Sequence, residues 1–98
     1  MAPSNQVLHT QNQYSVTQLL RKPAVSNLTG IAGSTLYRYI KKGLFTKPIS
    51  IGGDRVAWAA NEVQAINQAR VSGKSDDEIK SLVIELEQAR CLDIRATQ

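Results

Sequence analysis

The sequence predicts a mainly α-helical fold with a small β-hairpin, an α+β class in which two short helices and the hairpin precede two further helices. Three observations predict it: a glycine turn between two short helical segments, a Gly-Gly-Asp turn between two alternating segments, and a strong helix start near residue 75. The chain has 98 residues, 42% of them hydrophobic, which is enough for one small domain.

The chain is predicted to begin with a tail, a short extended segment and a helix. Residues 1–15 are rich in Gln, Asn, Ser and Thr, which is typical of a flexible tail, and an extended segment follows over 16–20. The first helix is predicted over 23–28, because Pro23 suits a first helical turn and Gly30 accepts the left-handed backbone that ends helices. Its expected inward residues are Ala24, Val25 and Leu28.

A second helix is predicted over 33–42. Leu36, Tyr39 and Ile40 stand at i, i+3 and i+4, the spacing of a buried helical stripe. Two short helices joined by a tight glycine turn match the helix-turn-helix motif. The opposite face carries hydroxyl, aromatic and basic side chains, namely Ser34, Thr35, Tyr37, Arg38, Lys41 and Lys42.

A hairpin is predicted over 49–58, because isoleucines alternate with a polar residue before the turn at 52–54, and Val56 and Trp58 alternate after it. Trp58, the largest apolar residue, is expected in the core. A third helix is predicted over 60–71. Its expected inward residues are Val63, Ile66 and Ala69.

The last helix has the clearest start in the sequence. Ser75 and Glu78 form a capping box, with further acids at the positive end of the helix dipole. Two roles stay open for this helix: it completes the core of the monomer, or it pairs with its copy in a second chain. The predicted stripe is Ile79, Leu82, Val83, Leu86 and Ala89, and the apolar residues outside it are Ile84, Leu92 and Ile94. The predicted units are therefore a domain over 16–72 and a C-terminal helix over 73–98.

Charge is distributed unevenly along the chain. Through Trp58 there are seven basic residues and one acidic residue, whereas from Ala59 onward there are five basic and seven acidic residues. The basic first half therefore predicts a polyanionic partner. A helix-turn-helix followed by a hairpin, or wing, suits double-stranded DNA, since the major groove admits one α-helix. The candidate DNA-binding residues are Gly33, Ser34, Thr35, Tyr37, Arg38, Lys41, Lys42, Lys47 and Arg55.

The run from Leu19 to Trp58, with Glu62 and Val63 following, resembles the AlpA family of prophage regulators. Its most specific parts are the pattern STLYR-I-K-G-F and the hairpin pattern IGG-R-V-AW. The resemblance implies a winged helix-turn-helix that acts in transcription control, or as an excisionase-like factor that assists an integrase. It implies DNA contacts by the second helix, through Ser34, Thr35, Tyr37, Arg38 and Lys41, and by Arg55 on the wing.

Other functions are less well supported by the sequence. One histidine and one cysteine, His9 and Cys91, stand near opposite ends of the chain, so no catalytic or zinc-binding set is expected, and neither is a cofactor. No apolar stretch is long enough to span a membrane, and the expected location is the bacterial cytoplasm at the nucleoid. An alternative is a winged-helix adaptor that binds an integrase or polymerase subunit through its last helix.

Overall fold

The computed structural model describes the backbone of residues 17–97 and the side chains of residues 17–90. The predicted tail, residues 1–15, lies outside this range, as do the side chains of Cys91, Leu92 and Ile94. The elements in chain order are β1 (Leu19–Leu20), α1 (Lys22–Thr29), α2 (Gly33–Lys41), β2 (Ile49–Gly52), β3 (Arg55–Ala59), α3 (Ala60–Val71) and α4 (Asp76–Thr97). The predicted mainly helical α+β fold with a hairpin is confirmed.

The three strands form one antiparallel sheet in the order β1-β3-β2. Strand β3 lies in the centre, with Trp58 opposite Leu20 and Val56 opposite Ser50. The pairing of β2 with β3 shifts between Ser50 and Gly52, which leaves Ile51 as the extra residue of a bulge. The predicted hairpin is thus confirmed. The extended segment predicted over 16–20 forms a strand only at Leu19–Leu20, which adds to the hairpin as a third strand.

A tight turn joins α1 to α2. Gly30 ends α1 with a left-handed backbone, at φ 75°, and its N–H donates to the carbonyl of Ser26. The Ser26 hydroxyl donates to the carbonyl of Ile31, and the Thr29 hydroxyl accepts the Ile31 N–H at 3.2 Å. The predicted glycine stop is confirmed, and side-chain hydroxyls fix the angle at which α2 leaves the turn.

The core forms between the helices and one face of the sheet around Trp58, which is fully buried as predicted. The indole N–H of Trp58 donates to the carbonyl of Thr46 at 2.9 Å. The loop after α2 therefore enters the core with its backbone paired, and Phe45 is buried beside it. The buried apolar cluster consists of Leu20, Val25, Leu36, Leu44, Phe45, Trp58, Val63, Ile66, Ile79 and Val83.

One inward residue was predicted wrongly. Leu28 is 57% exposed, although Val25, three positions earlier on the same helix, is fully buried. Helix α1 ends at Thr29, so Leu28 lies in its last turn, at the rim of the core. There the neighbouring helix presents the polar side chain of Asn67, whose amide donates to the Leu28 carbonyl at 2.9 Å.

Helix α3 has the predicted bounds, and α4 begins with the predicted capping box. The Glu78 N–H donates to the Ser75 hydroxyl at 3.2 Å, and the Ser75 N–H donates to a Glu78 carboxylate oxygen at 2.8 Å. The bond from the Ser75 backbone lowers the pKa of the Glu78 carboxyl. Protonation therefore weakens this cap only when the pH falls below the ordinary pKa of a glutamate side chain. Helix α4 packs on α3 and places Ile79 and Val83 in the core, while Ile84 is 56% exposed.

Within residues 17–97, no helix has the length and apolar character needed to cross a membrane. The described residues also contain no group of three or more His, Cys, Asp or Glu side chains placed to hold a metal ion.

Thr46 generates a stability prediction. Its side chain is fully buried, and its hydroxyl oxygen has no hydrogen-bond partner among the described residues. Because an unpaired buried hydroxyl is costly and valine has nearly the same shape, Thr46→Val is expected to raise the free energy of unfolding by about 1 kcal/mol. Urea unfolding followed by Trp58 fluorescence measures the change.

The matched control is Thr46→Ala, which also removes the hydroxyl but leaves a methyl-sized void. It is expected to be less stable than Thr46→Val by about 1 kcal/mol. A valine variant that is clearly less stable than the wild type would show that the Thr46 hydroxyl has a partner in solution.

Candidate nucleic-acid interface

Helix α2 is amphipathic in the predicted sense. Leu36 is fully buried, and Tyr39 and Ile40 are half-buried against the core. Since this stripe fixes the rotation of the helix, the intervening positions face outward. Of the residues predicted on this face, Thr35 is half-buried. The others are exposed, namely Ser34, Tyr37, Arg38, Lys41 and Lys42. The helix ends at Lys41 rather than Lys42, and Lys42 forms its C-terminal cap.

Arg38 and Thr35 face outward together, one turn apart. A terminal guanidinium nitrogen of Arg38 donates to the Thr35 hydroxyl at 3.1 Å. This bond orients the guanidinium along the helix, and arginine keeps further N–H donors for an external acceptor. The pair is therefore a pre-oriented donor group in the middle of the exposed face.

Tyr37 lies between the core and the surface. Its side chain is 42% exposed, and its ring centre is 6.3 Å from that of Trp58, with the rings tilted by 60°. The ammonium nitrogen of Lys22 lies over the same ring, 5.1 Å from its centre. Tyr37 is thus in contact with both the buried indole and a surface cation. The helical spacing predicted its exposure but neither of these neighbours.

The first turn of α2 has no side-chain cap, because Ala32 occupies the cap position. Its leading N–H groups are thus open to an external acceptor, at the positive end of the helix dipole. Gly33 begins the helix beneath the side chain of Lys22, since a Cβ at position 33 would lie 3.4 Å from the Lys22 Cε. This end of the helix therefore combines open N–H donors with a nearby ammonium group.

The hairpin presents Arg55 directly after its turn. Arg55 and Asp54 are both exposed, and neither forms an ion pair with another described residue. Gly53 in the turn has a positive φ of 57°, a backbone conformation that favours glycine. The tip therefore carries one cation and one anion side by side, so its net charge is close to zero.

Lys47 precedes the hairpin, and its backbone is held by α4. Its N–H donates to a Glu87 carboxylate oxygen at 2.8 Å, and its carbonyl accepts a bond from the Arg90 guanidinium at 2.7 Å. The Lys47 side chain is exposed. The last helix thus fixes the segment that leads into β2.

Arg90 also binds Glu62, an ion pair that the sequence did not predict. Two guanidinium nitrogens donate to the two Glu62 carboxylate oxygens, each at 2.7 Å, and Glu62 is only 3% exposed. The bonds to Glu62 raise the pKa of the Arg90 guanidinium. The two residues are 28 positions apart, and no local pattern links them.

The fold and this surface together indicate a class of protein. Two helices joined by a glycine turn precede an antiparallel hairpin, and the outward face of the second helix carries cations but no carboxylate. This arrangement is consistent with a winged helix-turn-helix protein.

The chain belongs to the AlpA family. Residues 18–71 match the family described as Prophage CP4-57 regulatory protein (AlpA), which is a regulatory family of prophages. The chain is also 42% identical over 57 residues to the uncharacterized protein ORF88 of Enterobacteria phage P4. That match covers 58% of this chain and 65% of the phage protein, slightly less than two thirds of its length. No solved structure is significantly similar to the chain.

The ion pair between Glu62 and Arg90 generates the second prediction. Arg90→Met leaves the Glu62 carboxylate buried without its partner, so we expect the free energy of unfolding to fall by about 3 kcal/mol. Thermal unfolding followed by circular dichroism measures the loss.

The control is Arg70→Met, which removes the exposed pair with Asp76 and is expected to cost at most about 1 kcal/mol. Equal losses of unfolding free energy in the two variants would show that the buried pair stabilises the fold no more than the exposed pair does.

Proposed function

We propose that this AlpA-family chain is a sequence-specific DNA-binding regulator of a prophage. In this proposal, α2 enters the major groove and the hairpin lies against the neighbouring minor groove or the sugar-phosphate backbone. The observation that carries the proposal is the outward face of α2, where hydroxyl, aromatic and basic side chains stand together without a carboxylate. Such a face fits the major groove, which is about 12 Å wide and has a distinct donor and acceptor pattern for each base pair.

The roles of the exposed residues follow from their chemistry. Arg38 is the proposed base reader, because a guanidinium can bind the two acceptors of a guanine at once. Lys41 and Lys42 are proposed to bind backbone phosphates, which adds affinity and salt dependence but little sequence preference. Ser34 and Thr35, near the helix start, are proposed to donate to phosphates or base edges.

Arg55 and Lys47 are proposed as flanking contacts. An arginine at a hairpin tip can enter a narrow minor groove, where the negative potential is enhanced. Asp54 beside it opposes a close approach to phosphate, so the contribution of Arg55 is expected to be smaller than that of Arg38. Lys47 has its backbone fixed by α4, so its exposed side chain extends from a rigid position beside the hairpin.

The test is selection of duplexes from a random pool by the purified protein, followed by anisotropy binding to a selected duplex over a salt series. A wild type that enriches one motif supports the proposal. A wild type without measurable affinity at low salt would refute it.

Arg38 provides the sharpest prediction within this test. Arg38→Lys keeps the charge but loses the planar fork, so we expect a loss of preference at one base pair of about 1–3 kcal/mol with little change in salt dependence. Arg38→Glu should abolish binding. Lys74→Glu, an equal charge reversal at an exposed site outside the interface, is the control and should retain the motif.

A second role, self-association through α4, is favoured by Ile84. This side chain is 56% exposed, and the sequence continues beyond Arg90 with further apolar residues. We propose that a second copy of the chain covers this face, so that a dimer reads two half-sites.

Ile84→Glu is expected to convert a dimer to a folded monomer in analytical ultracentrifugation and to weaken binding to a two-site duplex. Leu86→Glu is the contrasting variant, because Leu86 packs against the core and the substitution should unfold the protein. A wild type that sediments as a monomer at high concentration, alone and on DNA, would exclude this second role.

A further inference from the structure

Lys22 is held against the start of α2, although it belongs to another helix. It is the first residue of α1, and Gly33 is the first residue of α2. A Cβ at position 33 would lie 3.4 Å from the Lys22 Cε and 3.7 Å from its Nζ. The lysine stem therefore runs across the glycine, and its ammonium group lies beside the uncapped first turn of α2.

Tyr37 supplies the second contact that holds this lysine. It stands one turn after Gly33, and its ring centre is 5.1 Å from the Lys22 ammonium nitrogen, within the range of a cation–π interaction. The ring is itself in contact with the fully buried Trp58. A chain of contacts thus runs from the rigid core through Tyr37 to a surface ammonium group.

This ammonium group is placed where a cation is unfavourable without a counter-ion. The N-terminal end of a helix carries a partial positive charge, so a lysine there raises the local positive potential. Lys22 forms no ion pair with any described residue. An anion bound at this point would interact with the ammonium group and with the open N–H groups of α2 together.

We propose that Lys22 binds a phosphate of the DNA backbone at the start of α2, and that Tyr37 is a positioning residue that holds the Lys22 ammonium there. This inference rests on the proposed DNA-binding function. It assigns Tyr37 a role through Lys22 rather than through direct contact with a base.

The first experiment measures the salt dependence of binding to the duplex that the wild type selects. Each phosphate contact contributes about 0.9 to the slope of log K against log salt concentration. Lys22→Gln should therefore lower the slope by about 0.9 while the selected motif stays the same. Lys74→Gln removes the same charge at an exposed site outside the interface and should leave the slope unchanged.

The second experiment is a double-mutant cycle between Lys22 and Tyr37. Tyr37→Leu should weaken binding by about two- to five-fold in the wild-type background, as expected for the loss of one exposed cation–π contact. In the Lys22→Gln background the same change should have no effect. Tyr37→Phe keeps the ring and should keep wild-type affinity and slope, which a direct contact through the hydroxyl would not allow.

Folding is checked without DNA by NMR. The ring current of Tyr37 should shift the Lys22 Hε resonances, and this shift should persist in Tyr37→Phe and disappear in a folded Tyr37→Leu variant. If Tyr37→Leu does not fold, two tests remain. The slopes of Lys22→Gln and Lys74→Gln still test the phosphate contact of Lys22, and Tyr37→Phe still tests whether the Tyr37 hydroxyl contacts DNA.

The outcomes separate this inference from the function on which it rests. A wild type that binds DNA and is sensitive to Arg38→Glu, but has the same slope with Lys22→Gln, overturns only the role of Lys22. Equal effects of Tyr37→Leu in both backgrounds overturn the positioning role of Tyr37. A wild type without affinity for any duplex refutes the proposed function and this inference together.

Discussion

The burial of one indole in the middle of the central strand is the constraint on which the rest of the structure depends. Trp58 fills the space between the sheet and the helices, and its N–H is paired with the Thr46 carbonyl. A buried indole N–H without a partner would be costly, so this bond draws the loop after α2 into the core. The same ring contacts Tyr37. One side chain of the hairpin thereby contacts both the connecting loop and α2.

Arg90 on the last helix holds the loop between α2 and β2 at a second point. Arg90 on α4 binds the buried carboxylate of Glu62 and the carbonyl of Lys47. Loop 44–48 is therefore held at two points, by the indole N–H of Trp58 and by the Arg90 guanidinium on the last helix. Since this loop joins α2 to β2, the two anchors together set the separation of the helix and the hairpin. The proposed function, in which the helix and the hairpin contact one duplex at two places, would require such a fixed separation.

The candidate surface of α2 follows from its sequence because a helix repeats every 3.6 residues. Once Leu36 is placed in the core, the outward direction of Arg38 and Lys41 is determined locally. The relation of Lys22 to Tyr37 is not local, since it depends on the angle between α1 and α2. That angle is set by the turn at Gly30 and by packing on the sheet. Periodicity therefore predicts which side chains are exposed, but not which of them lie next to one another.

The sequence by itself determined the elements of this protein. Glycine turns, helical spacing, strand alternation and the Ser75–Glu78 capping box act over a few residues, so each could be recognised in isolation. Only the tertiary structure decided the pairing of β1 with β3, the exposure of Leu28, and the pairing of Glu62 with Arg90. These features arise where distant segments meet, and their free energy comes from burial and pairing across the fold. No short stretch of sequence contains both partners of such a contact.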